Sequence, residues 1–279
     1  MTRRELLKQT ENALASGGIE NAPSEARWLL ENFFSLSENE WFLNREKNCT
    51  QTEAAAVEEL TRRRISGEPL QYLIGRWPFL SLSLYVGPGV LIPRPETEQL
   101  CQAAAENLKE GSSILDLCSG SGAVGLGICS LKKAVSADCV ELSRDAFSYL
   151  ERNLNQYPYK TRAISYDVLN RPDCRFGQYD LIVSNPPYIA DKELSALPRE
   201  LSFEPEMALS GGEDGLLFYR AILANWLTLL RPGGSVYFEI GENQGEKLRE
   251  LLYGSGLSDI RILKDFSGND RIASARKED

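Results

Sequence analysis

Four consecutive residues, Asn185-Pro186-Pro187-Tyr188, carry the most specific chemistry in this chain. They follow the apolar run Ile182-Val183-Ser184, which reads as the end of a strand. Two prolines fix the backbone and remove two amide donors. In doubly wound α/β folds, ligands bind just outside the carboxyl ends of the strands. A rigid turn there aims the Asn185 side-chain oxygen and the Pro186 carbonyl into a cleft. Two convergent acceptors suit a planar NH2 group, and the flat face of Tyr188 can pack on a planar amide or base. The plainer alternative is a rigid turn and nothing more.

A second constellation lies upstream. Asp116-Leu117-Cys118-Ser119-Gly120-Ser121-Gly122-Ala123-Val124-Gly125 contains G-x-G-x-x-G at Gly120, Gly122 and Gly125. Without side chains the backbone turns sharply and approaches a ligand closely. Glu141 lies 21 residues beyond Gly120, at the end of the next strand, where it can accept hydrogen bonds from ribose hydroxyls. The pattern predicts a nucleotide-cofactor site, and both NAD and S-adenosylmethionine fit it. Asp116, placed before the glycines, suits a methionine ammonium better than a pyrophosphate. Asp167 offers an acceptor near an adenine edge. Either acid could equally be a cap or turn former.

These motifs need a scaffold to bring them together. From about residue 111, strand and helix patterns alternate. Strands are expected at 113–117, 135–141, 163–166, 179–184, 235–240, 259–263 and 271–275. Helices are expected at 123–131, 143–157, 215–230 and 246–253. Such alternation predicts an open parallel sheet with helices on both faces. Residues 1–75 read instead as a helical unit. Pro23 can open a helix, and Ser37 to Glu40 and Thr50 to Glu53 both match the capping box. Between the two units, Phe79 to Val86 alternates like a strand before Gly87-Pro88-Gly89, and 76–94 reads as a hairpin linker. The catalytic domain is expected over 95–279.

Composition narrows the function classes. The 279 residues are 42% hydrophobic and 25% charged, which suits globular domains. Thirty-one basic against 40 acidic residues give a net charge of −9, which argues against sequence-blind binding to phosphate backbones. Histidine is absent, which removes His-based triads and most zinc sites. Six cysteines show no C-x-x-C spacing, so no metal site is expected. No apolar run spans a membrane and no export segment opens the chain, so a cytoplasmic protein is expected.

Asp116 to Gly122, Glu141 and Asn185-Pro186-Pro187-Tyr188 together resemble the class I S-adenosylmethionine-dependent methyltransferases that act on amide or exocyclic NH2 groups. More closely, the chain resembles the HemK/PrmC-type release factor glutamine methyltransferases. The supporting stretches are Gly67-Glu68-Pro69-Leu70-Gln71-Tyr72, Leu91-Ile92-Pro93-Arg94-Pro95-Glu96-Thr97-Glu98, Phe203-Glu204-Pro205 and Phe238-Glu239-Ile240-Gly241. The resemblance implies a Rossmann-like seven-stranded domain, a small all-helical N-terminal domain that docks substrate, and a β-hairpin linker. It implies methylation of the glutamine N5 in the Gly-Gly-Gln loop of peptide chain release factors. Cys118, Ser119, Gly120, Ser121 and Gly122 would cradle S-adenosylmethionine, with Glu141 on the ribose and Val168 by the adenine. Asn185, Pro186, Pro187 and Tyr188 would hold the substrate amide, Asn185 also touching the cofactor. Two positions depart from the family: its first loop glycine is Cys118, and its often aromatic adenine-side residue is Val168. A monomer without membrane or nucleic-acid partner is expected. The rival reading is an adenine-N6 or guanine-N2 methyltransferase using the same motif, with Arg62-Arg63-Arg64 as its best support.

Overall fold

The computed structural model describes residues 1–278, which form two compact units. The first comprises residues 1–76 with 198–203, and the second 77–197 with 204–278.

The first unit is helical: α1 (Arg3–Ser16), α2 (Ala22–Phe33), α3 (Glu38–Asn44), α4 (Gln51–Ile65) and α5 (Leu70–Ile74). Both anticipated capping boxes form, at Ser37/Glu40 and Thr50/Glu53, and a third unanticipated one forms at Thr2/Glu5. Each satisfies two orphan donors reciprocally at a helix start. Pro23 lies in the first turn of α2, where its missing N–H costs nothing. Leu6, Leu29, Leu30, Trp41, Val57 and Leu70 make the core. Arg64 is buried and paired with Glu25 at 2.5 Å and Glu200 at 3.4 Å.

A hairpin of β1 (Arg76–Phe79) and β2 (Leu82–Tyr85) starts at the boundary of the two units and lies almost wholly in the second. The apparently continuous strand of the sequence breaks at Leu80, which adopts φ 51°. The hairpin's second strand is fastened to the catalytic unit. Tyr85 N donates to Asn153 Oδ1 at 2.7 Å and Ser83 N to the Tyr157 hydroxyl at 2.7 Å. After α6 (Pro95–Glu106) come β3 (Ser113–Leu117), α7 (Ala123–Leu131), β4 (Ser136–Glu141), α8 (Arg144–Gln156), β5 (Lys160–Ser165) and β6 (Tyr179–Ser184). A long connection holding α9 (Asp191–Leu194) leads to α10 (Leu217–Asn225), β7 (Leu230–Glu239), α11 (Gly245–Gly254), β8 (Leu257–Lys264) and β9 (Asp270–Lys277).

The sheet order is β5-β4-β3-β6-β7-β9-β8. Six strands run in one direction, and β9 inserts antiparallel between β7 and β8. Alternate residues of β3 feed opposite layers. Ile114 packs with Leu100, Leu126 and Leu150 of α6, α7 and α8, whereas Leu115 and Leu117 pack with Tyr219 and Leu248 of α10 and α11. Strand β5 runs longer than expected because it is a charged edge strand, Lys160-Thr161-Arg162, whose polarity hid it. Strand β7 starts five residues early and carries Pro232-Gly233-Gly234 through a register shift. The expected helix over 215–230 is shorter, because Gly215 at φ 76° delays its start and Leu227–Leu229 tightens to a 3₁₀ turn.

Candidate active site

The strand order reverses between the parallel neighbours β3 and β6, and ligands of such folds bind at that switch point. The two strands pair Leu117 with Ser184, and the Ser184 hydroxyl donates to the Leu117 carbonyl at 2.5 Å. The residues that follow are Cys118 and Asn185. The glycine loop and the N-P-P-Y turn therefore emerge side by side. They border a cleft of about 900 Å³, solvent included. Of the anticipated residues, Cys118, Ser119, Gly120, Ser121, Glu141, Asp167, Val168, Asn185 and Pro187 line it. Asp116, Gly122, Pro186 and Tyr188 do not reach its wall. Thr97, Pro93, Ser143 and Met207 also line it and were not anticipated there.

The loop's path is set by three left-handed residues, Cys118 (φ 60°), Gly120 (φ 55°) and Gly122 (φ 83°). Cys118 thus takes the conformation that glycine would adopt, so the departure from the family leaves the turn intact. Gly122 acts behind the wall: it caps α7, and a Cβ there would lie 2.8 Å from Leu150 Cδ1. Burial pushes the Cys118 thiol up, so it stays protonated and is no nucleophile. Two side chains clasp the loop. Glu141 accepts from Gly120 N at 2.8 Å and Ser143 N at 2.7 Å. Asn153, fully buried, donates to the Ser121 carbonyl at 2.8 Å and to the Tyr85 carbonyl at 3.0 Å. A carboxylate has about four acceptor positions, so Glu141 retains capacity for a ligand diol. Asp167 also folds its own turn, accepting from Leu169 N at 2.9 Å and Asn170 Nδ2 at 3.0 Å. The Val168 side chain is buried, and its carbonyl accepts from Trp226 Nε1 at 2.8 Å.

Asp116 corrects an expectation. Its carboxylate faces α7 rather than the cleft: Oδ2 accepts from Gly125 N at 3.0 Å, and Oδ1 is buried without a partner. The strand's alternation explains this, since Asp116 shares the α7-facing side with Ile114. Gly125 permits the approach, because a Cβ there would lie 2.6 Å from Cys139 Sγ. Burial raises the Asp116 carboxyl to about 7, partly opposed by the Gly125 bond. A carboxyl that holds its proton more tightly when folded stabilises the fold at low pH. That contribution is lost as pH rises from about 4 to about 7. Asp116→Asn removes the titration and keeps an acceptor for Gly125. Chemical denaturation should find the variant gaining on wild type between pH 5 and pH 8, by about 1–3 kcal/mol at the upper end. A pH-independent difference would reject this account.

The N-P-P-Y turn is enclosed on several sides. Asn185 Nδ2 donates to Thr97 Oγ1 at 3.3 Å, and the Thr97 hydroxyl donates to Glu239 Oε2 at 2.6 Å. Gln244 Nε2 donates to the Tyr188 carbonyl at 3.0 Å and the Gly215 carbonyl at 3.2 Å, while Gln244 Oε1 accepts from Gly241 N at 2.9 Å. A Cβ on Gly211 would lie 2.8 Å from both Pro187 O and Tyr188 Cα. Tyr188 packs against the α10/α11 layer instead of the cleft. Burial pushes its hydroxyl up to about 12, so it remains a neutral phenol. Burial likewise raises Glu239 to about 7, opposed by the Thr97 bond and Arg271. Thr97, Glu239 and Gln244 appeared in the sequence only inside resembling stretches or not at all. Their partners are 142, 88 and 56 residues away, beyond any local pattern.

Comparison with known proteins bears on this geometry. The family model of the PrmC N-terminal domain matches residues 5–75, and that of the methyltransferase small domain matches residues 96–212. The release factor glutamine methyltransferase of Geobacter sulfurreducens is 35% identical over 277 residues, covering 99% of this chain and 96% of that one. This chain belongs to the release factor glutamine methyltransferase family. The Moorella thermoacetica member is 34% identical, with complete coverage of both chains. The crystal structure of a methyltransferase from Pyrococcus furiosus shares the fold, with TM-score 0.55 at 17% identity, over 82% of this chain and all of that one.

Proposed function

We propose that this chain transfers a methyl group from S-adenosylmethionine to the side-chain nitrogen of the glutamine in a release factor's Gly-Gly-Gln loop. The observation that carries the reading is the acceptor side of Asn185, held at the wall of the cleft beside the glycine loop in a member of this family. The cleft fits the cofactor on its own terms. It has a backbone loop without bulk at Gly120, a carboxylate with spare acceptor capacity at Glu141, and the apolar side chain of Val168. When bound, the cofactor supplies an activated methyl on a sulfonium.

The protein's part is positional. An amide nitrogen is a poor nucleophile because its lone pair is delocalised into the carbonyl. Asn185 Oδ1 accepts a substrate N–H and favours a geometry that frees that lone pair. Catalysis is then orientation and electrostatic stabilisation, with no side-chain base required. The methylated amide nitrogen is then strongly acidic, and its proton passes to solvent water.

The nucleic-acid reading loses its main support in the helical unit. Arg62 pairs with Glu59, Arg63 with Glu68 and Arg64 with Glu25 and Glu200, so the cluster is neutralised rather than offered to phosphate. Residues 1–76 present Trp28, Phe42 and Leu43 as exposed apolar side chains, which support a role in docking the protein substrate. We place the reaction in the cytoplasm and take the enzyme to be a monomer. Among the described residues no helix is long and apolar enough to cross a membrane.

Three measurements test this reading. Mass spectrometry of a release factor incubated with the protein and S-adenosylmethionine should find one added methyl, on the loop glutamine. Modification of DNA or RNA instead would replace the reading. Glu141→Ala should weaken S-adenosylmethionine binding about 10- to 100-fold by calorimetry, the loss of bonds to a charged acceptor. Unchanged affinity would remove Glu141 from the cofactor site. A chain beginning at Trp77 should bind cofactor but methylate intact release factor with much reduced kcat/KM. Equal values in a folded truncated protein would remove the docking role.

A further inference from the structure

Asn185 can serve as an acceptor only if its amide is turned the right way, and its two ends are nearly equal in shape. We propose that Thr97 and Glu239 are positioning residues that set this orientation and so set which atom meets the substrate NH2. The proposal rests on the functional reading above and deepens it.

The supply of protons decides the orientation. Thr97 Oγ1 has one proton and two lone pairs. An ionised Glu239 can only accept, and its Oε2 lies 2.6 Å from Thr97 Oγ1, so the threonine proton goes there. What Thr97 then offers Asn185 is a lone pair, and only Nδ2 can use it, at 3.3 Å. The opposite rotamer would set two oxygens face to face without a proton between them. Oδ1 is left without a protein donor among the described residues, at the wall of the cleft, which Thr97 and Asn185 both line. The relay is anchored in rigid structure. Thr97 is buried in the first turn of α6, Glu239 is buried at the end of β7, and its carbonyl accepts from the buried Tyr219 hydroxyl at 2.7 Å.

Protonation reverses the chain. A neutral Glu239 can donate to Thr97 Oγ1, which releases the threonine proton toward Asn185. The amide then turns its oxygen to Thr97 and presents NH2 to a substrate NH2. The charged groups around Glu239 are Arg271 on β9 and Arg94 and Glu96 before and at the start of α6; the Tyr188 and Tyr219 phenols and the Cys101 thiol also face it and stay neutral. The two arginines favour its ionised form, and Glu96 opposes it. Activity should therefore rise with pH as Glu239 ionises near neutrality.

The test uses full-length protein, S-adenosylmethionine with a labelled methyl, and intact release factor across pH 5.5 to 9. Thr97→Val, which keeps the shape without the hydroxyl, should lower kcat about 10- to 100-fold with little change in cofactor affinity. Thr97→Ser should recover most of the loss. Glu239→Gln should lower kcat and abolish the rising limb near neutral pH, a change that simple loss of packing would not cause. In an Asn185→Ala background, Thr97→Val should have no further effect on kcat, because there is no amide left to orient. Wild-type turnover in Thr97→Val, an unchanged limb in Glu239→Gln, or additive losses in the double variant would each overturn the proposal. A wild-type protein that leaves release factor unmethylated would instead overturn the functional reading. If Glu239→Gln does not fold, the Thr97 series and the double variant still decide.

Discussion

Asn185→Ala should leave a folded protein that binds S-adenosylmethionine yet turns over about 10²- to 10³-fold more slowly. The size follows from losing one preorganised acceptor in a water-poor site, comparable to removing one oxyanion-hole partner. The fold should survive because, among the described residues, the Asn185 side chain makes a single hydrogen bond, to Thr97. Asn185→Asp is more informative. Its oxygens still accept, but neither can donate to Thr97, whose own proton is already given to Glu239. Two carboxylates then share one hydroxyl, so one of them should protonate at accessible pH. The variant should retain partial activity that depends on pH, in contrast to the flat pH profile of Asn185→Ala, which has no amide left to orient. Single-turnover rates with saturating cofactor separate these outcomes from weakened binding. Wild-type turnover in Asn185→Ala would reduce N-P-P-Y to a rigid turn.

The sequence exposed the parts of the fold whose physics is local. Strands β3 and β6 could be bounded to the residue, because one apolar run lies between Gly111 and the glycine loop and the other between Gly177 and Asn185-Pro186. The same holds for α7, which opens on a glycine in the left-handed region. Ser143 could be named as the cap of α8 because its hydroxyl serves Ala146 N three residues on. What failed was orientation. Asp116 was legible as an acid beside the loop, but which way it points depends on the phase of β3 and the closeness of α7, which Gly125 permits. Tyr188 was legible as an aromatic next to the reactive motif. Its ring turns into the α10/α11 layer because the Tyr188 backbone is held by Gln244, 56 residues away. Thr97 and Glu239 had no local signal at all. They meet because β7 lies beside β6 in the sheet and α6 packs against that strand end, which only the tertiary fold fixes.

That same enclosure makes a small residue far from the chemistry decisive. Gly215 adopts φ 76°, and a methyl there would overlap the Tyr188 carbonyl oxygen and approach Gln244 Nε2 to 2.7 Å. Neither conflict has an easy escape. The first is with backbone, and the second is with the amide that ties Tyr188, Gly215 and Gly241 together. Gly215→Ala must therefore move the 185–188 turn or break the Gln244 clamp. A displacement near 1 Å at a reacting group costs about 10²-fold in rate. We expect a fall in kcat of that order, with cofactor affinity little changed, because Gly215 is absent from the cleft wall. Backbone strain alone could lower stability without touching catalysis, and Gly268→Ala controls for it. Gly268 has φ 88° in the turn between β8 and β9, with nothing within 4 Å of its would-be Cβ. Both variants should lose about 1 kcal/mol or more of stability from the left-handed conformation. Only Gly215→Ala should lose turnover. Matching kcat values for the two would mean that the position of the N-P-P-Y turn is set elsewhere than at this glycine.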